Sequence, residues 1–292
     1  MGALMSNLLS SGWNPPRSSA ASAPDVDYPD AARDRLHAIE DVSPWFLVRN
    51  RVIDSLLARC GWPEALVEVG AGNGTVAAHM QAKGMDVIAI EPGAAGAANC
   101  RRRGLVTMNE SLGALHFPDE SLPCIGFFDV FEHLDDPGPV VREAYRTLCS
   151  DGILAVTVPA LPLLWSQADE FAGHHRRYTV ASLDALLAPV GFHREACSYF
   201  FALGVPFSLV QRAIPFRLGR RRSPQEMIDD SVNELNPRGR AIPTLIRWAG
   251  FLESQLIARR IRLPAGTSLG AIYRKRAGGA VAPTPGSSND HR

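Results

Sequence analysis

The sequence predicts an α/β fold in which a parallel sheet is covered by helices on both faces. Two observations support this prediction. Short apolar segments of strand-like composition alternate with segments of helical spacing, and a glycine-rich run separates the first strand from its helix. Strands that alternate with helices are joined by right-handed crossovers, which make neighbouring strands parallel. The candidate strands are 65–69, 87–90, 104–108, 124–130, 153–158, 194–201 and 268–275.

Helical segments connect most of these strands. The segment 43–60 repeats apolar residues at helical spacing, with Ser43 as a candidate N-cap, and another helix is expected over 180–189. About seventy residues separate the last two strands. The intervening stretch 201–262 contains amphipathic apolar runs, which predict a helical insert rather than a loop.

The two ends of the chain have a different composition from the middle. Ser, Ala and Pro dominate much of residues 1–30, and residues 277–292 are similarly polar, so we expect a flexible N-terminal arm and a flexible tail. Residues 31–276 then form the folded domain.

The charge pattern is uneven, although 30 basic residues balance 30 acidic residues overall. A net charge of zero for the whole chain gives no reason to expect a nucleic-acid partner. Residues 201–292 nevertheless hold 15 basic residues against 6 acidic ones. The five cysteines are scattered singly, without the close pairs of a zinc or redox site, which favours a reduced, cytoplasmic protein.

The glycine-rich run VEVGAGNGT, residues 67–75, follows the first strand directly. Glycines there let the backbone turn sharply and approach a ligand, and the helix that follows offers free N–H groups. A dinucleotide fingerprint needs a glycine at position 75, where this chain has Thr75. Glu91 closes the second strand, where a carboxylate can accept both ribose hydroxyls. The run therefore predicts a nucleotide-type cofactor site, the alternative being a structural turn beside a surface glutamate.

These features resemble the class I S-adenosylmethionine-dependent methyltransferases. The other segments that carry the resemblance are IAIEPG, LHFPDESLPCIGFFDVFEHLDDP and REAYRTLCSDGILAVTVPA. The resemblance implies a Rossmann-like, seven-stranded, mostly parallel sheet with an antiparallel last strand, so that the helical insert falls between strands 6 and 7. It implies S-adenosylmethionine as the cofactor, with Glu91 at the ribose and Glu68 and Asp129 at the methionine end. The remaining expected contacts are Gly70, Ala71, Gly72 and Gly74 in the loop, and Ser111 and Leu112, beside Glu110, at the adenine.

The stretch DVFEHLDD follows the fourth strand and contains Asp129, Glu132 and His133. If it forms one helical turn, two carboxylates and an imidazole share a face, and they could act as a base or bind a divalent metal. The stretch is similar to the acidic-x-x-Glu-His segment of ubiquinone-pathway O-methyltransferases, some of which use a metal there. The alternative, that His133 only packs beside the cofactor, is favoured over metal binding.

The stretch DEFAGHHRRYT, residues 169–179, lies beyond the fifth strand and gathers several polar groups. The guanidinium groups of Arg176 and Arg177 suit an anionic substrate group, and a histidine of the stretch can take a proton. The rings of Trp165 and Tyr178 can line the pocket of an apolar acceptor. Alternatively Asp169 pairs with an arginine in a structural clasp before a helix capped by Thr179 or Ser182. The segment LWSQADEFAGHHRRYT, with WFLVRNRVI upstream and LPAGTSLGAIYRK near the end, also resembles a group of bacterial class I methyltransferases with a GHxRRY sequence. The candidate catalytic residues are His133, Asp169, His174, Arg176, Arg177 and Tyr178.

The insert 201–262 places arginines beside apolar helical faces. We expect either a lid over the substrate or a peripheral contact with an anionic membrane, and the two are compatible. The function expected from the sequence is methylation of a small molecule, at the oxygen of an apolar, quinone-like or lipid-linked acceptor. The alternatives are N- or C-methylation of another metabolite, methylation of a macromolecule, and cofactor binding without catalysis.

Overall fold

The computed structural model describes residues 2–15, 39–235 and 241–276. Its centre is a sheet of seven strands with the order β3-β2-β1-β4-β5-β7-β6. The strands are β1 (Ala65–Val69), β2 (Asp86–Ile90), β3 (Val106–Met108), β4 (Leu122–Phe128), β5 (Leu148–Pro159), β6 (Phe192–Phe200) and β7 (Ser268–Lys275).

The direction of the strands confirms the predicted fold class. Strands β1 to β5 pair in parallel, whereas β7 runs antiparallel to both β5 and β6, between which it lies. All five residues of β1 are buried, as expected for a strand covered on both faces. The fourth strand ends earlier than its apolar run predicts, because Asp129 adopts a left-handed backbone conformation with φ 59°.

Helices cover both faces of the sheet. They are α1 (Ala3–Ser10), α2 (Pro44–Arg59), α3 (Thr75–Ala82), α4 (Ala94–Arg102), α5 (Gly138–Thr147), α6 (Gln167–Phe171), α7 (Val180–Leu187), α8 (Gly204–Ser208), α9 (Ile214–Arg217), α10 (Pro224–Leu235) and α11 (Ala241–Ala258). Ser43 is at the N-cap position of α2, yet its hydroxyl donates to the Leu235 carbonyl instead of capping the helix. Thr179 does cap α7, by accepting from the Ser182 N–H.

The beginning of the chain corrects the expectation of a flexible arm over 1–30, as far as residues 2–15 are concerned. Helix α1 buries Leu4 and Leu8, and the Leu4 N–H donates to the Asp86 carboxylate at 2.5 Å. Trp13 stacks on Phe117 with a centroid distance of 4.7 Å. The apolar side chains of this segment thus find partners on the sheet. The rest of the arm, and the tail 277–292, lie outside the described residues.

The described part of the insert between β6 and β7 is mostly helical, with non-helical segments at 218–223 and 259–267. Helices α8 and α9 are joined by one wider helical turn, and α11 packs along α2. Within the described ranges, no helix combines the length and the apolarity needed to cross a membrane.

Candidate functional site

Three chemically distinct residues follow the ends of three neighbouring strands. Gly70 follows β1, Glu91 follows β2 and Asp129 follows β4. Because these strands are parallel and adjacent, their carboxyl ends meet at one edge of the sheet. This edge is where the candidate site is built.

The turn after β1 depends on glycine. Gly70, Gly72 and Gly74 have φ values of 71°, 56° and 77°, a region that residues with a Cβ adopt at a cost. A Cβ on Gly70 would lie 2.8 Å from a methyl of Val130, which leaves no room for a side chain. The N–H groups of Gly70 and Ala71 both donate to the Ile90 carbonyl, which fixes the turn against β2.

Glu91 lies directly over this turn. One carboxylate oxygen accepts from the Gly72 N–H at 2.7 Å and the other accepts from the Gly93 N–H at 2.8 Å. The Asn109 amide donates to the carbonyls of Glu91 and Pro92, which ties the end of β3 to the same segment. The acidic group is therefore held at the mouth of the glycine turn.

Glu68 is the most unusual charge of the site. Its side chain is 2% exposed, and among the described residues its Oε2 atom has no hydrogen-bond partner. Burial raises the pKa of this carboxyl to about 8, although the nearby Arg49 guanidinium acts in the opposite direction. A buried carboxyl of this kind is stabilised as an anion when a cation binds beside it.

The turn after β3 was predicted to flank the adenine. Leu112 is buried there, whereas Ser111 is exposed and Glu110 is half-buried. Leu112 belongs to the apolar cluster that also contains Leu115, Phe117 and Trp13. The Leu112 side chain is therefore part of the core, and its contact with the adenine stays a prediction.

Asp129 is paired with a residue that the sequence did not single out. The Arg49 Nη1 atom lies 2.6 Å from Asp129 Oδ2, and the Arg49 side chain is 8% exposed. The Arg49 guanidinium also lies over the Trp45 ring, 4.8 Å from its centroid. Trp45 in turn stacks on Phe201 at 5.7 Å, where the helical insert begins. Successive contacts through Arg49 and Trp45 thus connect the end of β4 with the insert.

A second polar cluster follows Asp129. Phe131–His133 form a single tight helical turn that does not include Asp129, and the side chain that joins Glu132 and His133 is His174. The potential ligand atoms of these three residues lie within 4.8 Å of one another. The rings of His133 and His174 meet edge to face at 4.8 Å.

Burial controls the protonation of this cluster. It raises the pKa of Glu132 well above its ordinary value, with the Asp129 charge acting in the same direction. Burial also lowers the pKa of His133 to about 4, and the nearby His174 acts in the same direction. The His133 ring is therefore neutral near pH 7. The Nδ1 atom of His133 is buried and has no hydrogen-bond partner in the described part of the chain.

The stretch 169–179 forms the structural clasp. Asp169 Oδ1 accepts from Arg177 Nε at 2.7 Å and lies 3.1 Å from His174 Nδ1, while Oδ2 accepts from the Ser166 N–H at 2.9 Å. Burial acts to raise the pKa of Asp169, but the hydrogen bonds with His174 and Arg177 hold it below its ordinary value. Asp169 is 1% exposed, so the clasp occupies it fully.

Two further candidates from this stretch bind main-chain carbonyls. Arg176 donates to the carbonyls of Leu134 and Asp135. Tyr178 is 3% exposed in the apolar core and donates its hydroxyl to the Phe131 carbonyl at 3.1 Å. This placement corrects the expectation that Tyr178 walls the acceptor, because the ring packs inside the fold. Of the stretch, His174 alone joins the cluster of Glu132 and His133.

The comparison with known families decides what this site belongs to. Residues 45–195, more than half of the chain, match the model of a family described as "Methyltransferase domain". The chain belongs to this methyltransferase family.

A relative of similar sequence is also described as a methyltransferase, and two solved structures share the fold. A probable S-adenosylmethionine-dependent methyltransferase of Mycobacterium tuberculosis is 30% identical over 188 residues, which are 63% of this chain and 67% of the relative. The phosphoethanolamine N-methyltransferase 2 of Haemonchus contortus, solved with S-adenosylmethionine, superposes with a TM-score of 0.54 and 13% identity over 85% of this chain and 57% of that chain. The [4+2]-cyclase SpnF superposes with a TM-score of 0.52 and 17% identity over 90% of this chain and all of that chain. At such identities the two solved structures show the fold alone.

The protein is an S-adenosylmethionine-dependent methyltransferase, and its residues fit that cofactor. The orphaned, buried oxygen of Glu68 suits the positively charged methionine end, and the Glu91 carboxylate over the glycine turn suits a ribose diol. Gly72 leaves open space where a Cβ would be. The roles of the individual residues stay predictions.

Sequence reasoning missed part of the site's support. The Glu40 carboxylate accepts from Asn73 and Thr75, both at 2.7 Å, and Asn99 donates to Asn73. Arg49, the partner of Asp129, was missed as well. The only signal for it was the segment WFLVRNRVI, which is part of the expected resemblance to the bacterial group with GHxRRY, and that resemblance stays a prediction.

Proposed function

We propose that this methyltransferase methylates a hydroxyl group of a small, apolar acceptor, of a quinone-like or lipid-linked kind. The observation that carries the proposal is the buried His133, whose pKa of about 4 leaves it neutral near pH 7 and whose Nδ1 atom has no partner among the described residues. A hydroxyl must lose a proton when it is methylated, whereas a thioether or a neutral tertiary amine has none to lose.

The bond changes follow from this assignment. S-adenosylmethionine supplies an activated methyl group on a sulfonium, and the acceptor oxygen forms the new O–CH₃ bond as the S–CH₃ bond breaks. His133 Nδ1 takes the hydroxyl proton, and the contact with the His174 ring holds the His133 ring in position. Since the edge-on ring of His174 contacts His133, and Asp169 fixes His174, the clasp positions the base.

An apolar acceptor is supported by the aromatic contacts beside Asp129. Arg49, which holds Asp129, lies over Trp45, and Trp45 stacks on Phe201 at the start of the insert. Flat aromatic rings at this position suit a flat or hydrocarbon-rich acceptor. The insert that begins at Phe201 would act as a lid over such a molecule.

We also propose that the reaction needs no divalent metal. Asp129 is held by Arg49, and burial raises the pKa of Glu132, which disfavours its anionic form, so the cluster with His133 and His174 is poor in anionic ligands. Activity should be retained when the enzyme is assayed in excess EDTA. Abolished activity that returns with added Mg²⁺ or Zn²⁺ would contradict this part.

The acceptor is tested by incubating the protein with methyl-labelled S-adenosylmethionine and a panel of acceptors. The panel contains a catechol, a prenylated hydroquinone, the ethers of both in which every hydroxyl is methylated, and a primary amine of similar size. Methyl transfer to the hydroxyl compounds, and none to the ethers, is the expected result. Transfer confined to the amine or to ring carbon would contradict the proposal.

A further inference from the structure

Exposed apolar side chains are concentrated in the helical insert. The described residues include sixteen large hydrophobic side chains that are exposed, and eleven of them lie between Leu203 and Ile261. Single exposed apolar residues are normal on a protein surface, but a contiguous set marks an interaction surface.

Five of these residues form a stripe along α8 and α9. Their intervals of four, three, four and four residues place them on one helical face. The opposite face is anchored, since Ser208 and Ala213 are buried. The stripe consists of Leu203, Phe207, Val210, Ile214 and Leu218, with exposed fractions between 41% and 74%.

A second stripe runs along α11. The helix buries Ser254 and Ile257 against the body of the protein, and Gly250 packs closely on Val48 of α2. Its other side carries Ile242, Leu245, Trp248, Phe251 and Leu252, with exposed fractions between 41% and 63%.

The start of the first stripe lies near the end of the second. The Glu253 carboxylate of α11 accepts from the N–H groups of Phe201 and Ala202, at 2.7 and 2.9 Å, where the chain enters α8. These two hydrogen bonds hold the start of the first stripe next to the end of the second. We call the two stripes together the apolar face of the insert.

The charge of the insert identifies the kind of partner. Residues 201–262 contain eleven arginines and five acidic residues, an excess of six positive charges. Arg220, Arg259, Arg260 and Arg262 are exposed. A second copy of the chain would bring two such basic surfaces together, at an electrostatic cost. An anionic bilayer offers opposite charge to the arginines and hydrocarbon to the stripes.

We propose that the apolar face of the insert binds the surface of an anionic lipid bilayer. The two stripes enter the boundary between headgroups and acyl chains, and the exposed arginines contact lipid phosphates. This binding is independent of which acceptor the enzyme methylates.

The test is sedimentation of the full-length protein with vesicles. Phosphatidylcholine vesicles are compared with vesicles in which one third of the lipid is phosphatidylglycerol, at low and high salt. The informative variant is Phe207→Glu with Leu218→Glu. The matched control is Trp62→Glu, which changes an exposed apolar residue outside the insert. Binding of S-adenosylmethionine by each variant checks that it is folded.

The expected result is binding of the wild type and the control to the anionic vesicles, weakened by salt. The double variant should bind at least tenfold more weakly, because two large side chains no longer leave water. Three results would overturn the proposal: no binding by the wild type, equal binding by the double variant, or a wild-type dimer in analytical ultracentrifugation that the double variant abolishes. The last result would assign the apolar face to a second copy of the chain.

Discussion

Asp169 and Arg177 form a buried ion pair, with Arg177 Nε 2.7 Å from Asp169 Oδ1 and the two side chains 1% and 10% exposed. The same carboxylate also binds His174 and the Ser166 N–H. Because His174 contacts His133, this pair connects the stability of the stretch 169–179 with the position of the proposed base.

Replacement of Asp169 by Asn should destabilise the protein strongly. The change leaves the Arg177 charge buried without its partner, and breaking a buried pair in this way costs about 3 kcal/mol. The adjacent Glu170→Gln is the matched control, since its pair with Arg221 is exposed and is expected to contribute less than about 1 kcal/mol. Urea unfolding of both variants measures the difference. Equal losses would mean that the clasp does not stabilise the fold.

The sequence predicted the cofactor side of the site because that part is local. The glycine turn and Glu91 are each set by a strand and the residues that follow it, and the sheet brings them together wherever the strands are parallel and adjacent. The pairs that complete the site are not local. Arg49 and Asp129 are eighty positions apart, and Glu132 meets His174 across two different loops. Only the packed fold brings these side chains together.

The N-terminal helix was missed for a related reason. Eight residues are too few to form a stable helix in isolation, and no side chain caps α1. Its order comes from tertiary contacts, chiefly Leu4 and Leu8 in the core and Trp13 on Phe117. A reading of composition alone could not anticipate these partners.

Replacement of Glu91 by Ala should weaken binding of S-adenosylmethionine about tenfold, the scale of a charge-assisted hydrogen bond of about 1.4 kcal/mol. Isothermal titration calorimetry measures the change, with NAD as a ligand that should not bind. The variant Glu91→Gln keeps the shape of the side chain and removes its charge, so it separates the contribution of charge from that of packing. Unchanged affinity in both variants would remove Glu91 from the ribose site.

Glu68 should make the stability of the cofactor-free protein fall as the pH rises. Its pKa increases from an ordinary value of 4.5 to about 8 in the folded state. The folded protein thus binds a proton between these pH values that the unfolded chain has lost, and the resulting stability is full below pH 4.5 and lost as the pH rises through 8. The variant Glu68→Gln lacks this dependence. Its unfolding midpoint should match wild type near pH 4.5 and exceed it near pH 9, and parallel curves would contradict the assignment.

The same carboxyl predicts that cofactor binding releases protons. The ammonium and sulfonium groups of S-adenosylmethionine lower the pKa of a carboxyl beside them, so Glu68 should lose its proton at pH 7. Titrations in phosphate and in Tris, whose ionisation enthalpies differ, measure the number of protons released. Wild type should release a fraction of one proton, and Glu68→Gln should release fewer. Identical proton release by wild type and Glu68→Gln would mean that the positive groups of the cofactor do not bind beside Glu68.

His133 should control the rate of methyl transfer without controlling cofactor binding. Replacement of His133 by Gln removes the proton acceptor, so kcat should fall about 100-fold, within the usual range for a general base. The dissociation constant of S-adenosylmethionine should change less than twofold. The matched control is His175→Gln, which removes a half-exposed imidazole. It keeps the hydrogen bond from the main-chain N–H of residue 175 to the Glu132 carbonyl. A comparable loss in the control would indicate a general disturbance of the loop.

The pH dependence of the rate distinguishes a base from a merely structural histidine. Because burial lowers the pKa of His133 to about 4, it is neutral and able to accept a proton down to about that pH. The wild-type kcat should therefore show no loss near pH 6.5, where an ordinary histidine becomes protonated, and should fall only as the pH approaches 4.

The same lowered pKa of His133 makes the fold less stable as the pH falls from 6.5 towards 4, since the unfolded chain takes up the proton first. Rate measurements must accordingly be paired with unfolding curves at each pH. A fall in kcat centred near pH 6.5, in protein that remains folded, would mean that a different and more exposed group is the base.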